Sequence, residues 1–240
     1  MKIKLRISRC EQQIKLYQKI KVSKPYKFKP GQHCFIRFEN KHLSKHPHPF
    51  SISGQDDDSI YFTIKNLGDF THSLVDQLTT NTIVHLSKPF GHMTFKTTQA
   101  EHVWVAGGVG VTPFLSYIRS DYMTKVPITL VYAVRNEADA IHVDTFKAYA
   151  NTHPNFHFIL FDSSKDGYLS AKHLPLNPNV HVSMCGPKPM VDSIKKGVKK
   201  RFPDLPMTIE AFSFTGNLVS DILMWFKKLS KVFQFKKRPI

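Results

Sequence analysis

Alternation of apolar and polar positions, the pattern of a strand with one buried face, dominates the first hundred residues. Lys2 to Ile7 alternates cleanly and Ile14 to Val22 less so; His33–Phe38 follows the turn Lys29-Pro30-Gly31. Pro49–Ile52, Ile60–Ile64 and Thr82–Leu86 complete the set. Short strands at this spacing predict an antiparallel barrel. One helical stretch, Gly68–Leu78, interrupts them, with Asp69 or Thr71 as its N-cap. From about residue 101 the rhythm changes. Apolar strand runs at His102–Ala106, Ile128–Val134, Phe156–Phe161 and Val180–Met184 alternate with helical patterns at Pro113–Ser120, Val143–Asn151 and Pro189–Lys200. That predicts a parallel sheet with helices on both faces. The division falls near residues 97–101, giving a barrel over 1–98 and an α/β domain over 99–214. In the last segment, 215–240, Leu218, Ile222, Trp225, Phe226, Leu229, Val232 and Phe233 recur at helical spacing beside Lys227, Lys228, Lys231, Lys236, Lys237 and Arg238. A C-terminal basic amphipathic helix is expected there.

The stretch from Val103 to Phe114 carries the most specific chemistry. An apolar strand stops at Gly107, Gly108 and Gly110, and a helical pattern starts after Thr112 and Pro113. Strand, glycine turn and helix in that order bring backbone N–H groups and a helix N-terminus up to a phosphate. Glycine lets a pyrophosphate approach the main chain, and proline in a first helical turn loses no hydrogen bond. Proline stands where the third glycine of a G-x-G-x-x-G fingerprint would be, and a minority of such turns are only tight strand–helix connections.

A formal net charge of +16 favours acidic partners: phosphate-bearing cofactors, an acidic protein or an anionic membrane. Nucleic acid is not expected, because the aromatics fall in strand-core patterns and no recognition motif occurs. Cys10, Cys34 and Cys185 lie far apart, which fits a reduced compartment and offers no four-thiolate set. His42, His46 and His48 cluster without the carboxylates or thiolates of a zinc site, so no metal is expected. The N-terminus opens on a charged strand pattern rather than a signal peptide, and no 18-residue apolar run occurs. The expected location is the cytoplasm, at the inner face of the membrane where the tail helix is interfacial.

Seven motifs, in order, resemble those of the ferredoxin–NADP reductase superfamily of flavoenzymes. Lys29-Pro30-Gly31-Gln32 looks like its strand-entry turn. His48-Pro49-Phe50-Ser51 is similar to its flavin motif R-x-[YF]-[ST], with histidine replacing arginine as in the ferric-reductase and NADPH-oxidase branch. Lys65-Asn66-Leu67-Gly68-Asp69-Phe70-Thr71 resembles the second flavin motif, and Pro89-Phe90-Gly91 the turn before the linker. Met184-Cys185-Gly186-Pro187-Lys188-Pro189-Met190 resembles the C-G-P-x-x-M strand end beneath the nicotinamide, and the glycine turn its companion. Glu210-Ala211-Phe212-Ser213-Phe214 resembles the terminal E-x-F-x-F of the oxidase branch.

The resemblance implies an FAD-binding barrel followed by a Rossmann-like NAD(P)-binding domain, without the haem-bearing membrane domain of that branch. It places Phe50 against the flavin ring and Ser51 near its N5, and sets Lys65 and the Gly68–Thr71 backbone on the diphosphate. Thr112 and Cys185 would line the nicotinamide pocket, while Glu210 and Phe212 complete the reacting stack. The bland reading stands beside it: Cys185 as a buried small residue and Phe212 as ordinary core. Arg135, Ser163 and Lys165 would accept a 2′-phosphate, and Asp162 a free ribose hydroxyl, so NADPH is favoured over NADH. Electrons would leave for a separate acceptor: a ferric complex, oxygen, or an acidic or membrane redox protein. Two rival readings remain at this stage. One is a non-autonomous electron-transfer subunit of a redox complex; the other is a basic peripheral membrane module without its cofactor. The tail helix packs on the protein's own body, on anionic lipid or on a partner.

Overall fold

The structure is a computed structural model and describes residues 2–4, 8–10, 15–21, 26–57, 59–66, 69–78, 82–94, 100–120 and 126–212. Strands β1 (Lys2–Lys4), β2 (Ser8–Cys10), β3 (Lys15–Lys21), β4 (His33–Glu39), β5 (His48–Gln55), β6 (Ser59–Lys65) and β7 (Ile83–Leu86) form one sheet. Its order is β1-β7-β4-β5-β6-β3-β2, and every described pair is antiparallel. β1 and β2 are consecutive in the chain yet lie at opposite ends of that order. Extended chain from Lys4 to Ser8 reaches at most about 14 Å. The two edges therefore come together, and the sheet curls into the barrel the alternation predicts. Ile36, Phe38, Ile52, Phe62, Ile64 and Val84 fill it.

Helix α1 (Asp69–Gln77) adds Phe70 and Leu74 to the same core. Asp69 and Thr71 both lie inside this helix, so neither is the expected N-cap. The Asp69 carboxylate instead sits in the first turn, where it complements the helix dipole. Between Ile52 and Gly54 the β5–β6 register slips by one residue. The extra residue is Ser53, and such a bulge re-aims the backbone locally.

The second half is a five-stranded parallel sheet of β8 (Glu101–Gly107), β9 (Ile128–Val134), β10 (Phe156–Asp162), β11 (Val180–Pro187) and β12 (Met207–Phe212). Its order is β10-β9-β8-β11-β12. Helices α2 (Thr112–Ile118) and α3 (Val143–Thr152) bring Phe114 and Phe146 onto Trp104, Leu130 and Tyr132. The other face packs Val103, Val105, Val182 and Met184 against Val191, Ile194 and Val198 of α5 (Lys188–Arg201). Helices thus cover both faces, as the strand–helix rhythm predicts. The short α4 (Ser163–Asp166) was not legible, and β12 was read only as a motif. All six β12 residues are half-buried, so the segment has no marked period and becomes a strand by pairing with β11.

Polar contacts join the two sheets. Arg119 Nη1 donates to the Ser53 carbonyl at the bulge (3.4 Å), and Thr63 Oγ1 lies 3.1 Å from His142 Nε2. His142 holds a left-handed φ of 57° at the start of α3. No helix among the described residues is long and apolar enough to cross a membrane. Residues 97–99 of the expected boundary at 97–101, and the tail helix at 215–240, lie outside the described residues.

Trp104 is 1% exposed and packs between Phe114, Tyr117 and Phe156, at ring-centroid distances of 5.1, 4.9 and 6.1 Å. Trp104→Ala is expected to cost about 3–5 kcal/mol in urea unfolding followed by far-ultraviolet circular dichroism. A loss below about 1 kcal/mol would show that the α2 side of the sheet does not depend on this ring.

Candidate functional site

From β8 the chain runs outward through β9 to β10, then returns to the other side of β8 for β11 and β12. The order reverses between β8 and β11, and the crevice beyond the carboxyl ends of such strands is where open α/β sheets bind nucleotides. The glycine turn stands there. Gly107 ends β8, Gly108–Val111 form a 3-10 turn, and Pro113 occupies the first turn of α2. Gly108 has φ of +53°, and a Cβ there would meet nothing within 4 Å, so its backbone faces open space. Gly110 is the opposite case: a Cβ would collide with the Cys185 carbonyl. The Gly107 and Gly186 backbones also approach each other, and a Cβ on either would lie 2.6 Å from the Met190 methyl. Met190 therefore caps this glycine seam. Thr112 is buried and its hydroxyl donates to the Val109 carbonyl (3.0 Å), stapling the turn closed.

Cys185 pairs in register with Ala106 on one side and Glu210 on the other, as do Gly186 with Ala211 and Pro187 with Phe212. Burial, and then the Glu210 charge, push its thiol well above the usual cysteine range. It is a neutral, compact wall rather than a nucleophile. Phe212 packs on the α2-side core. Glu210 reaches across to the barrel half, where its Oε1 accepts from the Met93 N–H at 3.3 Å and lies 3.9 Å from His33 Nδ1. Gly91, at φ of +123°, makes this meeting possible: a Cβ there would lie 2.7 Å from His33 Nδ1 and 3.2 Å from Glu210 Oε1. His33 is in turn the β4 partner of Ser51 on β5. Opposed residues of an antiparallel pair carry their side chains on the same face, with Cβ atoms about 4.5–5.5 Å apart. Ser51, His33 and Glu210 thus run in sequence from the barrel to the last strand of the α/β sheet. The sequence marks Gly91 only as part of the Pro89-Phe90-Gly91 turn, and assigns no role to His33 or Met93. The only signal for His33 was a polar residue directly after the Pro30-Gly31-Gln32 turn.

In the barrel, β5 and α1 bring the two flavin motifs together. The His48 ring stacks on Phe70 with centroids 3.4 Å apart and planes 10° apart, and half-buried Phe50 lies 6.5 Å from Phe70. Pro49 is half-buried between them in sequence, Lys65 is half-buried at the end of β6, and Asp69 and Thr71 lie in the first turn of α1. Gly68 lies outside the described residues. His48 is 5% exposed, and its Nε2 has no hydrogen-bond partner among the described residues. Burial, and then His46, lower its pKa to about 4, so it is a neutral imidazole at pH 7.

On the far side of the crevice, exposed Arg135 directly follows β9, and Ser163 opens α4 after β10. The Ser164 N–H donates to the Arg135 carbonyl (2.9 Å), which ties the two loops together. Asp162 does not face outward as a ribose acceptor would. Its Oδ1 accepts from the Ser164 amide (2.9 Å) and hydroxyl (2.6 Å), and its Oδ2 from the Glu137 amide (3.1 Å). Lys165 is engaged as well, 3.4 Å from Asp162 Oδ2 and 3.5 Å from Glu137 Oε2.

Two family models match this chain in tandem, an FAD-binding domain over residues 2–115 and an oxidoreductase NAD-binding domain over residues 104–196. The chain belongs to the ferredoxin–NADP reductase superfamily. It is 28% identical over 142 residues to the ferredoxin–NAD(P)(+) reductase component of the naphthalene 1,2-dioxygenase system of Pseudomonas putida, covering 57% of this chain and 42% of that protein. Its fold matches the flavohaem-like FAD/NAD binding domain of nitric oxide dioxygenase from Vibrio cholerae with a TM-score of 0.75 at 17% identity, over 88% of this chain and 98% of that one. It also matches ferredoxin–NADP+ reductase from Plasmodium falciparum with 2′P-AMP, with a TM-score of 0.69 at 15% identity, over 88% and 96%. The chain spans about half the length of the curated relatives it matches first. Its cofactors are FAD and NAD(P)H. The residues fit both groups. The unpartnered His48 nitrogen lies in the flavin motif, and the Gly108 backbone opens where a nucleotide phosphate would approach.

His33, His48 and His102 are each buried and each lowered to about 4 from 6.5, with burial the main cause. Between these values the unfolded chain binds protons that the folded one refuses. Their contribution to stability is therefore full above pH 6.5 and lost as the pH falls toward 4. Calorimetric melting temperature should fall through this window, and fall less steeply in His48→Phe. A flat profile would contradict the buried, neutral state of these rings.

Proposed function

We propose that the protein is an FAD-dependent reductase of the ferric-reductase and oxidase-like type that draws hydride from NADPH and passes electrons to a separate redox partner. The observation that supports this reading is the meeting of Glu210, the in-register neighbour of Cys185, with the Met93 amide and with His33, the in-register neighbour of Ser51. Bound FAD supplies a ring that accepts hydride and releases electrons singly. The protein's share is orientation and exclusion of water. Phe50 supplies an apolar wall, Ser51 a hydroxyl beside the reacting edge, and Thr112 and Cys185 a neutral floor for the nicotinamide. Glu210 fixes the spacing of the two halves.

Arg135 at the end of the second strand supports NADPH, since an arginine there accommodates a 2′-phosphate. The carboxylate that would favour NADH, Asp162, is consumed by the Ser164 and Glu137 amides. The net charge of +16 and the reductase component among the relatives both support an acidic redox protein as acceptor. A ferric complex and oxygen are the small-molecule alternatives. Stopped-flow reduction of the flavin should show higher kcat/KM for NADPH than for NADH. Ser51→Ala should slow hydride transfer at least about tenfold, one pre-organised hydrogen bond's worth, with little change in melting temperature. Preference for NADH would reverse the donor assignment, and unchanged transfer would remove Ser51 from the site.

The apolar and basic repeat in residues 215–240 supports a further contact, with an anionic membrane surface. Sedimentation with anionic vesicles should capture the full chain and lose a form truncated at Thr215. Equal binding by both would remove that contact.

A further inference from the structure

The sequence groups Arg135, Ser163 and Lys165 as one cationic seat for a 2′-phosphate. In the fold, Lys165 is already engaged. Its ammonium sits between Glu137 Oε2 (3.5 Å) and Asp162 Oδ2 (3.4 Å). These partners differ in kind. Asp162 is nearly buried and joins the loops after β9 and β10 through the Ser164 and Glu137 amides. Removing it would dismantle both turns. Glu137 touches Lys165 only through its exposed carboxylate, with 60% of the side chain accessible, and lies two residues beyond Arg135.

Resting on the nucleotide reading above, we propose that Glu137 is a specificity-determining residue that withholds Lys165 from the 2′ position of the donor and holds the preference for NADPH down. A 2′-phosphate arriving beside Arg135 meets one available guanidinium, one lysine neutralised by two carboxylates, and the Glu137 charge itself. A free 2′-hydroxyl meets none of that cost. Neutralising Glu137 leaves Asp162 as the remaining partner of Lys165 and removes the nearest exposed like charge, so only the phosphorylated nucleotide gains. The charged groups on these two loops are Arg135 and Lys165, and Glu137, Asp139, Asp162 and Asp166.

The test is titration calorimetry of the holoprotein with 2′,5′-ADP and with 5′-ADP, which needs no turnover. Glu137→Gln should tighten 2′,5′-ADP about three- to tenfold, the range for one partly screened charge, and leave 5′-ADP within about twofold. The double variant Glu137→Gln with Lys165→Met should lose that gain. Unchanged 2′,5′-ADP affinity in Glu137→Gln would overturn the proposal, as would a gain that survives loss of Lys165. Failure of the unaltered protein to bind either nucleotide would instead overturn the nucleotide site on which it rests. A wild-type preference for NADH would reverse the donor assignment alone, because the Glu137→Gln shift is read as a ratio to wild type.

Discussion

Close backbone contact at the β8–β11 seam is the constraint on which the rest of the site depends. Gly110 lies against the Cys185 carbonyl and Gly107 against Gly186, with no room for a Cβ at either contact. This intimacy lets a 3-10 turn fold back over the carboxyl end of the next strand and start α2 there. It leaves Gly108 at positive φ with its backbone facing the crevice. Met190 then covers the Gly107–Gly186 contact, and the Thr112 hydroxyl holds the turn through the Val109 carbonyl. A nucleotide site that relies on main-chain N–H groups needs this kind of fixed backbone, because the donors must be aimed before the phosphate arrives.

The second constraint is the spacing of the two sheets, set where α2 packs against β5 and by a few polar contacts rather than by one shared apolar core. The apolar clusters stay largely within each half, whereas Arg119, His142 and Glu210 reach across. Directional contacts of this type position partners at modest cost in stability, each contributing on the order of 1 kcal/mol. They also explain local irregularities that would otherwise look costly. The Ser53 bulge turns a carbonyl toward Arg119, Gly91 adopts positive φ beside the His33–Glu210 meeting, and His142 accepts a left-handed conformation where its ring reaches Thr63.

Charge is distributed unevenly with respect to this geometry. The chain is strongly basic, yet burial holds His48 of the flavin motif and Cys185 of the proposed nicotinamide floor uncharged, with Glu210 the one carboxylate in register beside Cys185. The compensated charges lie at the far side of the nucleotide crevice, in the Asp162–Lys165–Glu137 cluster. A centre that is neutral apart from Glu210 suits the proposed hydride transfer, which moves no net charge onto protein groups. In the proposed site, recognition of a 2′-phosphate belongs to this periphery.

Local sequence was sufficient for the two sheets, because period-2 alternation and apolar strand–helix rhythm are set by nearest neighbours and by burial of one or both faces. It was also sufficient for the glycine turn, since a close backbone approach excludes every side chain and leaves a trace in residue type. The flavin and nicotinamide motifs came from a resemblance in residue order; the fold brings His48, Phe50 and Phe70 of the two flavin motifs together, and the roles of Phe50, Ser51 and Cys185 belong to the proposal. Three features were decided only in the folded chain. β12 is a strand through its pairing with β11, despite having no period of its own. His33 enters the site through the register of β4 on β5 and through Glu210, which lies 177 positions away. Asp162 and Lys165 look in sequence like opposed votes on the donor, but in space they are partners, because a buried carboxylate must satisfy its oxygens and the nearest amides and ammonium do so. Composition and spacing name the groups available for chemistry. Which of them remain available is settled by what else folds against them.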